Sequence, residues 1–144
     1  MTDELTYIAL HLKYEDMLEA YRASGCPPLY SIIEGWEKSA IRKMYYDSAG
    51  NPMSVVGVIN VAAGWQGRPW MLSTSRLSEC PLRLARESRK LLTDIRGRYN
   101  YLENYVDATN TTSIEWLEVH DFSIHEPEPL FPYGYKFRRF SWEA

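Results

Sequence analysis

The side chains that could transfer protons are concentrated in the last third of the sequence. Histidine and carboxylate groups are the usual general acids and bases of enzymes. We consider five of these residues: Glu103, Asp107, Glu118, His120 and His125. No motif marks any of them, and His120 and Glu103 are the first candidates. His120 lies one turn beyond Trp116, where an exposed histidine near a helix end is the alternative.

Cys80 is a candidate nucleophile because a thiol near the start of a helix can have its pKa lowered. No partner base is marked in the sequence, and a small buried thiol beneath the helix is the alternative interpretation. The two cysteines, Cys26 and Cys80, have no metal-ligand spacing and are too few for a disulfide framework. We therefore expect reduced thiols and no metal site.

The segment from Arg76 to Arg98 holds seven basic and three acidic residues, in a chain whose net charge is −3. A basic helix can bind a phosphate-bearing ligand or a nucleic acid, but a solvated helix face is the simpler interpretation. The scarcity of aromatic residues in this segment and the acidity of the whole chain argue against nucleic acid as a partner.

Length and composition predict a single domain over residues 1–144, since 144 residues with 45% hydrophobic residues suffice for one core. No segment approaches the roughly 20 apolar residues that a membrane span needs. The start, MTDELTYIAL, is acidic where a secretory signal is basic. These features, together with reduced thiols, favour the cytoplasm.

Hydrophobic periodicity predicts two helices at the start, in LKYEDMLEAYRAS and PLYSIIEGWEKSA, although Gly35 weakens the second. AIRKMYYD, the turn SAGNP and MSVVGVINVAA form a predicted β-hairpin. Its second strand is apolar on both faces, which is typical of a strand inside a covered sheet. A short strand, WMLSTS, follows. The first half of the chain is thus predicted as two helices and three strands.

After RLSECP, the sequence predicts a long helix with Ser78 as its N-cap and Pro81 in its first turn. The predicted core stripe of this helix is Leu84, Ala85, Ser88, Leu91, Leu92 and Ile95. YLENYVDA then alternates like a strand. NTTSIEWLEVHDF predicts a helix that begins with a Thr112–Glu115 capping box or with Asn110 or Thr111 as cap. Two strands, FSIHE and YGYKFRRFSWE, flank the proline-rich loop PEPLFPYG.

This order of elements resembles the GNAT superfamily of acyl-coenzyme A-dependent N-acyltransferases. In that family one strand splays from its neighbour and the gap admits the pantetheine arm. The last helix is similar to the family pattern Asn-x-x-Ala-x-x-Leu-Tyr-x-x-x-Gly-Phe, with Asn110, Ser113, Trp116 and Phe122 in register. The resemblance covers most of the chain from Ile41 onward. It implies an α/β (α+β) fold in which helices flank both faces of a mixed, mostly antiparallel sheet.

The narrower resemblance is to divergent GNAT-like proteins of short-tailed bacteriophages, some of which are internal virion proteins. It rests on W-x-L at Trp70, the basic helix, L-x-N-x-V at Leu102 to Val106, and the segment from Asn110 to Phe122. It implies a bacteriophage gene product, located in the bacterial host cytoplasm or in the virion.

The resemblance also implies a cofactor, acetyl-coenzyme A, in the cleft between the strands at 70–74 and 101–108. The implied cofactor-binding residues are Leu72, Thr74, Arg76, Ser78, Arg83 and Asn110. In the family, an Arg/Gln-x-x-Gly-x-Gly/Ala signature lets backbone N–H groups bind the pyrophosphate at a helix N-terminus. RLSECP keeps Arg76 but has Glu79 and Pro81 at the glycine positions, which should weaken phosphate binding.

The second departure is catalytic, because the tyrosine that often protonates the leaving thiolate in the family is replaced by Leu117. Two classes of function follow. The first is an acyl-coenzyme A-dependent N-acyltransferase acting on a protein or a small amine. The second is a catalytically inactive GNAT-like virion or protein-interaction protein, its cleft empty or filled by side chains and its partners including other virion proteins. Nucleic-acid binding through the basic helix is a third, weaker alternative.

Overall fold

The computed structural model describes residues 2–61, 65–79 and 81–144. The helices of this part are α1 (Thr2–Leu10), α2 (Tyr14–Ser24), α3 (Pro28–Lys38), α4 (Pro81–Arg98) and α5 (Thr111–Val119). The strands are β1 (Ser39–Tyr46), β2 (Pro52–Val61), β3 (Gln66–Ser73), β4 (Tyr101–Asp107), β5 (Ser123–Pro129) and β6 (Lys136–Glu143). A short 3-10 helix, Ser75–Glu79, precedes α4. None of the described helices is both long and apolar enough to cross a membrane.

The six strands form one sheet in the order β1-β2-β3-β4-β6-β5. Every neighbouring pair is antiparallel except β3 with β4, which is parallel. The predicted mixed, mostly antiparallel sheet is therefore confirmed. Strand β2 lies between β1 and β3, and its Val55 and Val58 are completely buried, as the two-sided apolar pattern predicted.

Helices cover both faces of the sheet. On one face, α1 and α3 contribute a core cluster with the sheet: Leu5, Ile8, Ile32, Val55 and Leu72. On the opposite face, α4 and α5 pack on the sheet through a larger cluster: Val58, Leu92, Ile95, Tyr99, Leu102, Val106, Ile114, Leu117, Phe122 and Phe140. Burying these side chains is the main favourable contribution to folding. The sheet between the two clusters therefore holds the strand ends in fixed positions.

The Trp70 ring explains why two glycines interrupt regular elements. A Cβ added at Gly35 would lie 3.0 Å from the Trp70 ring, and one added at Gly57 would lie 2.7 Å from its Nε1. The indole Nε1–H donates to Ser39 Oγ at 2.7 Å. Glycine in the middle of α3, which weakened the helix prediction, thus allows close packing between α3 and the sheet.

The predicted β1–β2 hairpin is confirmed, with a turn that Asp47 organises. Its Oδ1 accepts hydrogen bonds from the N–H groups of Ala49 and Asn51, each at 2.9 Å. Gly50 has a φ of +86°, a conformation that glycine adopts without steric cost.

The structure also identifies the N-cap of α5, because Asn110 Oδ1 accepts from the Ser113 N–H at 3.3 Å. Asn110, rather than the Thr112–Glu115 capping box, is the N-cap.

Helix α1 and the extents of two strands differ from the prediction. Strand β3 begins at Gln66, four residues before the predicted start at Trp70. Helix α1 was not predicted, because only its buried Leu5 and Ile8 mark an apolar face and a nine-residue helix depends on tertiary packing. Strand β5 continues through Pro127 and Pro129, which we assigned to a loop. Proline is tolerated there because β5 is the edge strand of the sheet, where one side needs no hydrogen bond.

Candidate functional site

Strands β3 and β4 separate soon after they meet. They pair at only two positions, which join the first two residues of β3 to the first two residues of β4. Beyond these positions the strands diverge, although β3 continues to Ser73 and β4 to Asp107. The resemblance implied a gap between the strands at 70–74 and 101–108, and the two strands are unpaired there. We call the wedge between the two strands the split.

The Asn104 side chain bridges the narrow part of the split. Its Nδ2 donates to the Pro69 carbonyl at 2.8 Å, and its Oδ1 accepts from the Tyr105 N–H at 2.8 Å. A continuous ladder would satisfy such main-chain groups with the neighbouring strand, and unpaired groups of this kind are costly when they are buried. The Asn104 amide therefore provides partners for two main-chain groups, the Pro69 carbonyl and the Tyr105 N–H.

Helix α2 closes the wide end of the split with two carboxylates. The Ser73 N–H donates to Asp16 Oδ2 at 2.9 Å, and the Asp107 N–H donates to Glu19 Oε1 at 2.7 Å. The helix is held there by its N-terminus, because the Lys13 N–H donates to the Ser73 carbonyl at 3.0 Å. The last residues of both diverging strands are thus bonded to the same helix.

The N–H and the carbonyl of Met71 are the main-chain groups of β3 that remain available in the split. Alternate residues of a strand direct their main-chain groups to the same side, so Met71 faces the split as Pro69 and Ser73 do. By this alternation the Met71 main-chain groups point away from β2, and no turn, loop or side-chain hydrogen bond to them is found among the described residues. The Met71 side chain is partly buried. This residue therefore offers one donor and one acceptor to a ligand in the split.

Further polar contacts fix the acidic end of the split. Asn110 Nδ2 lies 3.4 Å from Asp16 Oδ1 and 3.4 Å from Glu19 Oε1, so one amide donates to both carboxylates. The buried Asp107 carboxylate forms an ion pair with Arg22, with an Nη1–Oδ2 distance of 3.2 Å. A cap residue, two acids of α2 and the end of β4 thus form one hydrogen-bonded network.

The split opens into a cavity of about 580 Å³ that passes between the helices of the two sheet faces. Its walls are mostly apolar and include Trp70, Met71, Leu72, Val106, Trp116 and Leu117. Asp16 and Glu19 line its acidic end. This volume falls within the range of small-molecule sites, which combine apolar walls with a few placed polar groups.

Burial raises the pKa of both acids of α2. The pKa of Glu19 rises to about 7, mainly because burial penalises its charged form, and the hydrogen bond from the Asp107 N–H opposes this only in part. Burial also raises the pKa of Asp16, whereas Lys13 lowers it. Glu19 can therefore exchange a proton near neutral pH, which is the property that a general base needs.

Of the predicted cofactor-binding residues whose side chains the structure describes, Leu72 lies in the cavity wall. Thr74 is buried beside it, where its Oγ1 accepts from the Arg76 N–H at 3.3 Å. Asn110 is buried as the α5 cap. Arg83 is exposed and donates to the Tyr46 carbonyl. Ser78 belongs to the 3-10 helix, and its side chain, like Cys80, lies outside the described part.

The start of α4 offers little to a diphosphate. Arg76 forms an ion pair with Glu79 at 3.2 Å, and both side chains are 57% exposed. The prediction of Ser78 as the N-cap is wrong, because Ser78 belongs to the 3-10 helix and α4 begins at Pro81, which has no N–H to donate. The seven basic residues of this segment also do not act together, since Arg96 turns inward over the Phe122 and Trp142 rings at 5.2 Å and 5.0 Å.

The predicted catalytic candidates lie away from the cavity wall. His120 is 9% exposed, so the alternative of an exposed histidine is wrong. Its ring packs edge-on against Trp116 at 4.1 Å, and burial lowers its pKa. Glu103 lies on the sheet surface, where its Oε2 accepts from the Tyr101 hydroxyl at 2.5 Å and from Arg139 at 3.3 Å.

The remaining candidates have other surroundings. Asp107 is bonded to Arg22 at the acidic end, and Glu118 is exposed on α5. His125 Nδ1 accepts from Arg139 at 3.2 Å, and its Nε2 lies 2.9 Å from Ser141 Oγ. Leu117, at the position of the family tyrosine, lines the cavity. The wall of the cavity therefore contains a leucine where the resemblance implies a proton donor.

Sequence reasoning missed Asp16, Glu19 and Asn104. One signal was present, because Asp16 and Glu19 are three residues apart and share a helix face with Ala20, which is buried. Carboxylates on a buried helix face are uncommon and usually have specific partners. Their partners could not be read from the sequence.

Comparisons with known proteins agree with this architecture. An N-acetyltransferase from Staphylococcus aureus Mu50 superposes with a TM-score of 0.69 at 10% identity, covering 99% of this chain and 94% of that chain. The GNAT domain of S. lividans PAT gives a TM-score of 0.69 at 10% identity, with 99% and 85% covered. The smu.2055 protein from Streptococcus mutans UA159 gives 0.69 at 9% identity, with 99% and 95% covered.

No protein-family model and no curated protein matches the sequence. The structural similarity extends over 99% of this chain in each of these three comparisons. The polypeptide therefore has the fold of the GNAT acetyltransferases.

Proposed function

We propose that the protein is an acyl-coenzyme A-dependent N-acyltransferase whose acceptor is a small, positively charged amine. The observation that carries this proposal is the split, which opens a cavity with an ionisable carboxylate at one end. The GNAT fold places the reacting groups of its members in such a gap. The acidic end of the cavity is what favours an amine as the acceptor.

The acidic end suits an ammonium group. Asp16 and Glu19 lie close enough to share the Asn110 amide, and both line the cavity. Two carboxylates in a partly desolvated site attract a cation more strongly than they would in water. The apolar walls formed by Trp70 and Trp116 would contact the alkyl part of the amine.

Glu19 is the proposed general base. A base with a pKa near 7 can take the proton that an ammonium must lose before its nitrogen is nucleophilic. Bound acyl-coenzyme A supplies the activated acyl group as a thioester. Glu19 takes the first proton, which leaves a neutral amine. The amine nitrogen then forms a bond to the acyl carbon as the carbon–sulfur bond breaks, and its second proton passes to the water at the thiolate. Water protonates the thiolate, because Leu117 has no proton to give.

The split fits the pantetheine arm better than the start of α4 fits the diphosphate. Met71 offers one donor and one acceptor to an amide of the arm, and Leu72 offers apolar contact. Arg76 and Arg83 remain the proposed contacts of the diphosphate, together with Ser78. Because Glu79 competes for Arg76, we propose that the pantetheine arm supplies most of the affinity.

A second candidate function is a catalytically inactive GNAT fold that serves as a virion or protein-interaction protein. The observation that favours it is that side chains of Asn104, Asp16 and Glu19 already satisfy main-chain groups in the split. Such a split needs no ligand to be stable. The narrower resemblance to bacteriophage virion proteins stays a prediction.

Acyl transfer from acetyl-coenzyme A to 1,4-diaminobutane and to a lysine-containing peptide tests both candidates, with thiol release and product mass as readouts. The enzyme should prefer the diamine, and Glu19→Gln should lower kcat/KM by about 100-fold or more, the usual contribution of a general base. Glu118→Gln is the matched control, because Glu118 is exposed and outside the cavity wall.

Two outcomes would overturn the first candidate. If neither acceptor is acylated and acetyl-coenzyme A produces no heat in a calorimetric titration, the inactive fold is supported. If transfer occurs but Glu19→Gln and Glu118→Gln reduce it equally, Glu19 is not the base and the acid pair does not select the acceptor.

A further inference from the structure

Two polar side chains line the cavity between the narrow end of the split and the acids of α2. They are Arg68 of β3 and Tyr105 of β4. Trp70 lies against α3, so Arg68, two residues earlier on the strand, points to that same face of the sheet. Leu102 and Val106 belong to the cluster under α4 and α5, so Tyr105 points to the opposite face, which is again the α3 face. The two side chains therefore flank the cavity from either side of the split.

Arg68 brings a guanidinium without a partner to the cavity. The residue is exposed, and no ion pair or side-chain hydrogen bond of its guanidinium is found among the described residues. Glu103, its neighbour on β4, is already bonded to Tyr101 and Arg139. The other described cation of the cavity wall, Lys13, pairs with an acid of α2 at 3.9 Å. Arg68 is thus the cation of this wall that can pair with the anionic group of a ligand.

Tyr105 adds a second donor. Its hydroxyl has no partner among the described residues, whose buried unpaired side-chain atoms belong instead to Tyr45, Arg96 and His120. The Tyr105 hydroxyl is therefore accessible and not sealed in the core. A guanidinium and a phenol that both donate suit a carboxylate, because its two oxygens accept several hydrogen bonds and can pair with both arms of an arginine.

The spacing between these donors and the acids of α2 sets the length of a ligand that contacts both. The acids bind the N–H groups of Ser73 and Asp107. Arg68 lies five residues before Ser73, and Tyr105 lies two residues before Asp107. These separations correspond to about 16 Å and about 7 Å along the strands. The ammonium and the carboxylate of an α-amino acid are attached to the same carbon atom, so they lie too close together to reach both ends.

We propose that the amine acceptor is a linear ω-amino acid, with its ammonium bound by the acids of α2 and its carboxylate bound by Arg68 and Tyr105. The Trp70 ring, in the cavity wall between the two ends, contacts the methylene chain. A diamine would instead bring a second ammonium toward the Arg68 guanidinium. This inference rests on the proposed acyltransferase function and specifies its acceptor.

Two acceptors of the same shape isolate the contribution of the carboxylate. 5-Aminopentanoate and 5-aminopentanamide differ in the charge of a terminal group of equal size, and 1,4-diaminobutane carries a second ammonium instead. With acetyl-coenzyme A as donor, kcat/KM should be about tenfold to 100-fold higher for 5-aminopentanoate than for the amide, because hydrogen bonds between charged groups are the stronger ones. The diamine should be the poorest acceptor of the three.

Arg68→Gln should abolish this preference through KM, since the guanidinium contacts a part of the acceptor that does not react. Arg68→Lys keeps the charge and should retain part of the preference. Tyr105→Phe should reduce the preference by a smaller factor. Arg89→Gln is the matched control, because Arg89 is exposed on α4 and lies outside the cavity wall. If Arg68→Gln keeps the wild-type preference, Arg68 does not bind the carboxylate and the inference is overturned.

Calorimetric titration with 5-aminopentanoate, with and without coenzyme A, keeps this inference distinct from the proposed function. Binding that is lost in Arg68→Gln and kept in Arg89→Gln supports the carboxylate site, even if no acceptor is acylated and the acyltransferase is overturned. If 1,4-diaminobutane is acylated but 5-aminopentanoate and its amide react equally, the inference is wrong and the acyltransferase stands. If no acceptor is acylated and 5-aminopentanoate does not bind, both are overturned.

Discussion

The side-chain amide of Asn104 donates a hydrogen bond to the Pro69 carbonyl, 2.8 Å away on the opposite strand of the split. Its oxygen accepts the Tyr105 N–H of its own strand. Since β3 and β4 no longer pair at this level, one side chain both satisfies the main chain and sets the distance between the strands. The separation of β3 and β4 is thus stabilised by hydrogen bonds from the Asn104 side chain.

Asn104→Ala should lower the free energy of unfolding by about 1–3 kcal/mol, because the Pro69 carbonyl and the Tyr105 N–H lose their partner. Urea denaturation measures the difference. Asn100→Ala is the matched control, since Asn100 is exposed just before β4. Equal losses in the two variants would mean that the Asn104 bridge contributes nothing to the sheet.

Glu19→Gln should remove part of the pH dependence of stability. The folded pKa of Glu19 is about 7 and the ordinary value is 4.5, so the folded state holds a proton that the unfolded state releases between these values. Wild-type stability should therefore fall as pH rises from about 5 to 8. The variant, which keeps an acceptor for the Asp107 N–H, should lack about 1–3 kcal/mol of that fall.

Urea denaturation at several pH values between 5 and 8 gives this difference directly. Glu118→Gln, on the exposed face of α5, should retain the wild-type pH profile. Parallel profiles for wild type and Glu19→Gln would show that Glu19 is ionised at its ordinary pKa in the folded protein.

Glu79→Gln should strengthen the binding of coenzyme A at low salt by roughly twofold to fivefold, since it frees Arg76 and removes one negative charge. Arg76→Ala should weaken binding by a similar factor. Calorimetric titration supplies the dissociation constants, with Arg98→Ala, at the other end of α4, as the control. If the diphosphate binds elsewhere, the three variants should have the same dissociation constant for coenzyme A.

Leu117→Tyr should increase kcat by about tenfold or more, because it places a proton donor where the resemblance implies one for the leaving thiolate. The rate should then decrease as pH approaches the ordinary tyrosine pKa of about 10. Leu117→Phe is the size-matched control without a hydroxyl. Identical rates for the two variants would show that the thiolate does not leave beside this position.

The succession of helices and strands along the chain could be predicted because it depends on local patterns, and Asn110 was one of the predicted alternatives for the cap of α5. The helices on both faces followed from the resemblance to the GNAT superfamily. Ser88, Leu92 and Ile95 of α4 recur at helical spacing, and Asn110 lies three residues before its hydrogen-bond donor. A short helix such as α1 carries too few apolar residues for a pattern. Local sequence patterns thus predict most helices and strands, but they do not predict which of these elements contact one another.

The site could not be predicted because its contacts join distant parts of the chain. The bond from Ser73 to Asp16 spans 57 residues, and the bond from Asp107 to Glu19 spans 88. Single-sequence patterns contain no information about such pairs, and the predicted candidates were therefore acids and histidines in or near β4 and α5. The structure instead brings an acid pair from α2 to the split.

Amide hydrogen exchange at Met71 tests the central claim that the split accepts an acyl-coenzyme A. The Met71 N–H faces the split without a partner among the described residues, whereas the Ser73 N–H is already bonded to Asp16. Saturating acetyl-coenzyme A should slow exchange at Met71 by tenfold or more and leave Ser73 nearly unchanged. Unaltered exchange and unaltered resonance at Met71 would contradict the account.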